Sequence, residues 1–161
     1  MIVTIGIDPG LSGAIGLLRD GKYFDVVDIP TTLRGSGSVK YEIDAAGMRR
    51  LLLTAKSMTN DADHEVLLER VNAMPGQGVS SVFSLGDSFG VCRAVVSSLN
   101  VPLHLVPPAK WKKYFELDSD KEKSRALATK LFPEAPLHLK KHADRAEALL
   151  MARYLWETRH A

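Results

Sequence analysis

The first apolar run sets the reading of the chain. Ile2, Val3, Ile5 and Ile7 are β-branched and nearly uninterrupted, the pattern of a strand covered on both faces. It ends in Asp8-Pro9-Gly10, a turn signal. Ser12 to Arg19 reads as a second strand that begins with small residues. Asp20-Gly21 is a strong two-residue hairpin signal. Lys22 to Pro30 follows as a third strand, whose mixed face and terminal proline fit a sheet edge. Residues 31–41 are polar and glycine-rich and predict a mobile loop, with Arg34, Lys40 and Tyr41 available to a partner. Asp44 reads as the N-cap of a helix through about Met58, because Ala45, Met48, Leu51, Leu52 and Ala55 recur at helical spacing. His64 to Glu69 is the next strand, and 70–78 a loop. A long helix covers about Ser80 to Leu99, and Val101 to Val106 is a short strand stopped by Pro107-Pro108. Ser119-Asp120-Lys121-Glu122 opens a helix with a capping-box pattern. The last helix runs to about Glu157, with Asp144 and Glu147 in its first turn. A strand–helix–strand connection puts 2–7 and 64–69 side by side and parallel. The expected fold class is α/β, a five-stranded mixed sheet of three antiparallel and then two parallel strands flanked by helices.

Composition adds bounds. The chain has 161 residues, 45% hydrophobic and 25% charged, which predicts one globular domain over 1–161. No apolar run reads as a membrane span, and the N-terminus lacks a signal-peptide layout, so a cytoplasmic setting is expected. The single cysteine, Cys92, has no disulfide partner and no metal-ligand spacing, and reads as a small core residue. Residues 1–100 carry 9 Lys and Arg against 11 Asp and Glu, whereas residues 101–161 carry 12 against 8. The basic second half is compatible with a polyanion partner and equally with a solvated helical surface.

The candidate chemistry lies in the acids. Asp8 and Glu69 end strands that the topology makes parallel neighbours, at the carboxyl ends where open α/β sheets bind ligands. Asp144 and Glu147 are three apart on one face of an alanine-rich helix, where the N-terminal dipole also favours acids. Asp8 as a simple turn cap and the helix pair as ordinary charge bias stay open on these grounds alone. Four carboxylates brought together repel, and divalent cations remove the conflict. Oxygen ligands suit Mg²⁺ or Mn²⁺ rather than zinc, and two such ions about 4 Å apart hydrolyse phosphodiesters. Lys110-Trp111-Lys112-Lys113-Tyr114-Phe115 is basic with interleaved aromatics. Its aromatics read first as core anchors, and its lysines must face water or phosphate. His142 reads as a solvated or capping histidine.

The sequence resembles the RuvC-type Holliday junction resolvases of the ribonuclease H-like superfamily. The matching pieces are Gly6-Ile7-Asp8-Pro9-Gly10, Leu68-Glu69-Arg70-Val71, the helix with Leu85-Gly86 and Gly90-Val91, Val106-Pro107-Pro108 with Lys112, Lys123-Ser124, and Ala143-Asp144-Arg145-Ala146-Glu147-Ala148-Leu149. They run in family order over nearly the whole chain. The resemblance implies a bacterial or phage homodimer, joined through the 80–99 helix, that nicks opposed strands of a four-way DNA junction. It implies Asp8, Glu69, Asp144 and Glu147 as catalytic metal ligands for two Mg²⁺ or Mn²⁺ ions. Lys112 and Lys123 fall on basic positions near the scissile phosphate, and Arg70, Met74, Lys110, Lys113, Lys141 and Arg145 complete the expected DNA-binding set. Two departures stand out. The last acid, usually Asp, is Glu147, and Asn72-Ala73-Met74 replaces a stretch that often carries an aromatic wedge. The alternatives are a ribonuclease H-like nuclease for other branched DNA or RNA–DNA hybrids, and a junction-binding protein without catalysis.

Overall fold

The β-branched run becomes the middle of the sheet. In the computed structural model, which describes residues 1–60 and 62–161, β1 (Ile2–Ile7) is flanked by an antiparallel β2 (Ala14–Arg19) and by a parallel β6 (Asp63–Glu69). β3 (Lys22–Asp28) pairs antiparallel with β2 at one edge, and β7 (Leu103–Val106) pairs parallel with β6 at the other. The order β3-β2-β1-β6-β7 is the expected mixed sheet. The Asp20-Gly21 turn has φ of 48° and 74°, so both residues are left-handed, as a two-residue hairpin that follows the strand twist requires.

The helices connect these strands. α1 (Ala45–Met58) starts at Asp44, whose carboxylate accepts from the Gly47 amide at 2.9 Å. α2 (Val79–Ser98) joins β6 to β7. α3 (Pro108–Tyr114) takes its proline in the first turn, where no backbone donor is lost. α4 (Lys121–Leu131) is capped by Asp120, one residue later than a Ser119 capping box would place the start. A single 3₁₀ turn, Lys140–His142, leads into α5 (Ala143–Arg159).

Segment 31–41 departs from the expected loop. β4 (Thr31–Leu33) and β5 (Tyr41–Ile43) pair antiparallel, and the Arg34 amide donates to the Lys40 carbonyl at 2.9 Å. Only the tip of this hairpin is irregular. α2 also departs from the sequence reading, because its length and apolarity would by composition suffice for a membrane span. In the fold it lies on the sheet through Ser84, Ser88, Cys92, Val95 and Val96.

The two sheet faces carry separate cores. Val3, Ile5, Ile7, Val66, Leu68 and the buried Cys92 pack with Met48 and Leu52 on the α1 and α2 side. Leu18, Leu67, Trp111, Leu149 and Leu150 pack on the α5 side. Strand alternation therefore turns Gly6 and Gly16 toward α5. A Cβ on Gly6 would lie 2.1 Å from the Ala148 carbonyl oxygen, and one on Gly16 would lie 2.7 Å from the Leu149 amide. These glycines let the α5 backbone settle directly on the sheet, which brings the first turn of α5 to the strand ends.

Candidate active site

The last paired positions of β1 and β6 are Ile7 and Leu68, so Asp8 and Glu69 each follow at the same level. Alternation continues onto both, and they emerge on the face that α5 covers. The Asp8 amide still donates to the Ala14 carbonyl at 3.0 Å, which extends the ladder and fixes the carboxylate. Gly10 donates its amide to Asp8 Oδ1 at 3.3 Å. One oxygen each of Asp8, Asp144 and Glu147 lie within 4.8 Å of one another.

Glu69 stands beside this triad but turns to α3. Its Oε2 accepts from Trp111 Nε1 at 2.8 Å. Trp111 is fully buried, so the aromatic read as a core anchor also orients an acid. Glu147 Oε1 is 3.2 Å from Lys112 Nζ and accepts from the buried Ser124 Oγ at 3.2 Å. Asp144 Oδ1 is paired with Lys121 Nζ.

The electrostatics follow from crowding. Burial pushes the Asp8 carboxyl up to about 7, with Glu69 and Asp144 pushing the same way. Burial also raises the Glu69 carboxyl, Glu147 adds to this, and the Trp111 bond and the lysines oppose it. Burial disfavours the Lys121 ammonium, but its bond to Asp144 and the field of the other acids outweigh that and raise its pKa. The cluster draws positive charge, and its all-oxygen donor set fits a hard divalent cation and not zinc.

The other expected residues fall into four groups. Lys123 points away from the acids, with Nζ 2.5 Å from Asp118 Oδ2 at the surface. The reason is helix phase. Lys121 and Ser124 are three apart and share the α4 face toward α5, whereas Lys123 lies round the helix from Lys121. Lys121 is thus the basic residue that sequence reasoning missed, and its spacing to Ser124 was the available signal. Arg145 is held by Asp28 of β3 through two bonds, 2.7 Å from Nε and 2.9 Å from Nη2, and does not project freely. Arg70, Lys110, Lys113 and Lys141 are exposed, and Met74 is exposed by 63% on the 70–78 loop. His142 is buried, and its Nδ1 accepts from the Leu139 amide at 3.2 Å, so it caps the entry to α5.

No protein-family model and no curated protein matches the chain. Solved structures do. One is Thermus thermophilus RuvC in complex with a Holliday junction substrate, at 17% identity, covering 99% of this chain and 97% of that one, with a TM-score of 0.61. Another structure of Thermus thermophilus RuvC is 16% identical, covers 97% of this chain and 96% of that one, and has a TM-score of 0.56. Taken with the strand order and the helix seated on the sheet, the likeness over nearly the full length of both chains establishes that this protein has the ribonuclease H-like fold of RuvC.

Proposed function

We propose that this chain is a Holliday junction resolvase, a metal-dependent endonuclease that nicks opposed strands of a four-way DNA junction as a cytoplasmic homodimer. The observation that carries the proposal is the carboxylate triad of Asp8, Asp144 and Glu147, within 4.8 Å, on the fold shared with a junction-bound RuvC. Asp8, Glu69, Asp144 and Glu147 would hold the metal. Bound Mg²⁺ or Mn²⁺, two per site, supplies an activated water and charge stabilisation at the leaving oxygen.

The side chains do the rest. Trp111 holds Glu69 in place through its indole N–H. Ser124 and Lys112 fix Glu147 from two sides, which compensates for the extra methylene of a glutamate at this position. Lys112 and Lys121 also sit where negative charge develops on the phosphate, and a fixed cation there stabilises the transition state. Lys121 takes the role that the resemblance implied for Lys123. Lys110, Lys113, Lys141 and Arg70, exposed and without ion pairs among the described residues, extend a basic surface for phosphates.

The test is a nicking assay on a mobile four-way junction with Mg²⁺, Mn²⁺ or EDTA. Symmetric, metal-dependent nicks in opposed strands, absent in Asp8→Asn, are the expected result. Binding without nicks would sink the enzymatic reading. Equal rates on flaps or RNA–DNA hybrids would remove the junction specificity.

A further inference from the structure

The first turn of α5 carries a cation that the metal and phosphate chemistry leaves unused. Arg145 directly follows Asp144 and comes two residues before Glu147. Its Nε donates to Asp28 Oδ1 at 2.7 Å, and its Nη2 donates to Asp28 Oδ2 at 2.9 Å. Such a fork of parallel bonds fixes direction as well as distance. Its Nη1 donates to the Pro136 carbonyl at 3.3 Å, which also fastens the segment ahead of α5. All three guanidinium nitrogens are thus engaged inside the chain. The bonds from Arg145 hold the Asp28 carboxyl below the usual carboxylate range.

The bridge ends on the frame that holds Asp8. Asp28 is the last residue of β3 and pairs in register with Ala14, the first residue of β2. The Ala14 carbonyl accepts the Asp8 amide at 3.0 Å. A path therefore runs from Asp8 through Ala14, Asp28 and Arg145 to Asp144, and it uses no carboxylate oxygen of the acid cluster. That matters for alignment. The seat of α5 on Gly6 and Gly16 lies at Ala148 and Leu149. Asp144 is four residues before Ala148. That is about 6 Å along the axis, so a tilt of about 10° at the seat would displace it by about 1 Å. Metal–ligand distances tolerate about 0.2 Å. A second fixed point is needed. Lys121 on Asp144, and Lys112 and Ser124 on Glu147, occupy carboxylate oxygens that a bound ion would claim. The Arg145 bridge occupies none of them. The Asp28 side chain is 63% exposed, and an exposed ion pair adds little to stability, so the pair suits alignment better than holding the fold together.

We propose that Arg145 is a positioning residue, which through Asp28 locks the first turn of α5 to the β2–β3 end of the sheet and so sets Asp144 and Glu147 at the spacing from Asp8 that a divalent cation requires. The assignment rests on the metal-dependent reading above. It takes Arg145 out of the surface offered to phosphates.

The experiment titrates Mn²⁺ into the full chain by calorimetry, for the wild type, Arg145→Ala, Asp28→Ala and the double variant. Binding of a fluorescent four-way DNA junction is measured alongside, in EDTA across a salt series. Removing a cation beside the acids should, by charge alone, tighten Mn²⁺ binding. Loss of alignment should instead weaken it in Arg145→Ala by about tenfold, the scale for groups that orient metal ligands. The double variant should show the same loss of about tenfold rather than about a hundredfold, because both side chains act through one bridge. Arg145→Lys keeps the charge without the fork and should fall between wild type and Arg145→Ala. Metal-free melting temperatures should drop by less than about 4 °C, as for an exposed ion pair. The slope of log junction affinity against log salt should be unchanged in Arg145→Ala. Tighter or unchanged Mn²⁺ binding in Arg145→Ala would overturn the proposal. A salt slope reduced by about one would also overturn it, since that marks a phosphate contact. The expected Mn²⁺ losses in a chain whose wild type makes no nicks would uphold the bridge and remove only the nuclease reading. A wild type that binds no Mn²⁺ overturns both.

Discussion

Asp8 is poorly placed as an ionised group until positive charge arrives. Its folded pKa of about 7 is raised above the ordinary carboxylate value, first by burial and then by Glu69 and Asp144. A raised carboxyl means that the folded chain binds a proton that the unfolded chain has already lost. This group therefore subtracts stability as pH rises from about 4 to about 7. Without metal, Asp8→Asn should melt higher than wild type at pH 7.5, and the gap should close toward pH 4.5. Thermal denaturation of both proteins in EDTA at the two pH values checks this, and a gap independent of pH would refute it. Adding Mn²⁺ should raise the wild-type melting temperature at pH 7.5 and leave Asp8→Asn nearly unmoved, because a bound cation stabilises only the chain that can ligate it. The lysines divide at the same scale. Lys112→Ala and Lys121→Ala should each lower the nicking rate by at least tenfold, and Lys123→Ala by less than twofold, in single-turnover assays. The acids could be picked out in the sequence because a charge at the end of a buried strand has few packing explanations. The Lys121 contact is marked only by its spacing to Ser124, and that spacing counts only if α4 has begun by Lys121. Asp120, rather than Ser119, sets that start.

At the scale of elements, the site depends on how closely α5 approaches the sheet. Gly6 and Gly16 have no Cβ where the backbone of α5 passes, and any side chain there meets main-chain atoms that cannot rotate away. Gly6→Ala should cost at least about 2–3 kcal/mol in urea denaturation, since overpacking against backbone has no rotameric escape. It should also weaken Mn²⁺ binding, because lifting α5 moves Asp144 and Glu147 together away from Asp8. A loss of stability with unchanged metal affinity would show that the site tolerates a displaced helix. The strands around β1 could be read because each buries a regular set of positions. The pairing of β4 with β5 was not legible for the opposite reason. Thr31, Thr32 and Leu33 are all exposed, so no alternation marks the strand, and glycine and serine at the tip read as loop. The role of Gly6 was hidden as well, since a glycine in an apolar strand does not disclose which helix lies over it. Only the pairing of β1 with β2, which sets Gly6 opposite Gly16, turns two glycines into a seat for α5.

For the whole molecule, the question is what covers the outer side of α2. Its buried residues face the sheet, while Val79, Phe83, Gly86 and Gly90 share the opposite side. A Cβ on Gly86 or Gly90 would meet nothing within 4 Å. These glycines therefore leave space for something outside the chain. Val79 and Phe83 are exposed by 87% and 62%, an unusual arrangement for so apolar a helix. A second copy meeting this face would bring two α2 helices together at the glycines, where backbones can approach, and would set two acid clusters on one symmetric particle. Paired nicks need such an arrangement. Gly86→Glu/Gly90→Glu should therefore sediment as a monomer under conditions where wild type is a dimer. It should retain the wild-type melting response to Mn²⁺, because the acids lie on the far side of the fold's central strands from this change. On a four-way junction it should make single nicks that do not pair into linear duplex products. If the variant remains dimeric, α2 is not the contact and the open glycines need another occupant. If it is monomeric yet still nicks opposed strands in concert, the two cuts do not depend on a shared interface.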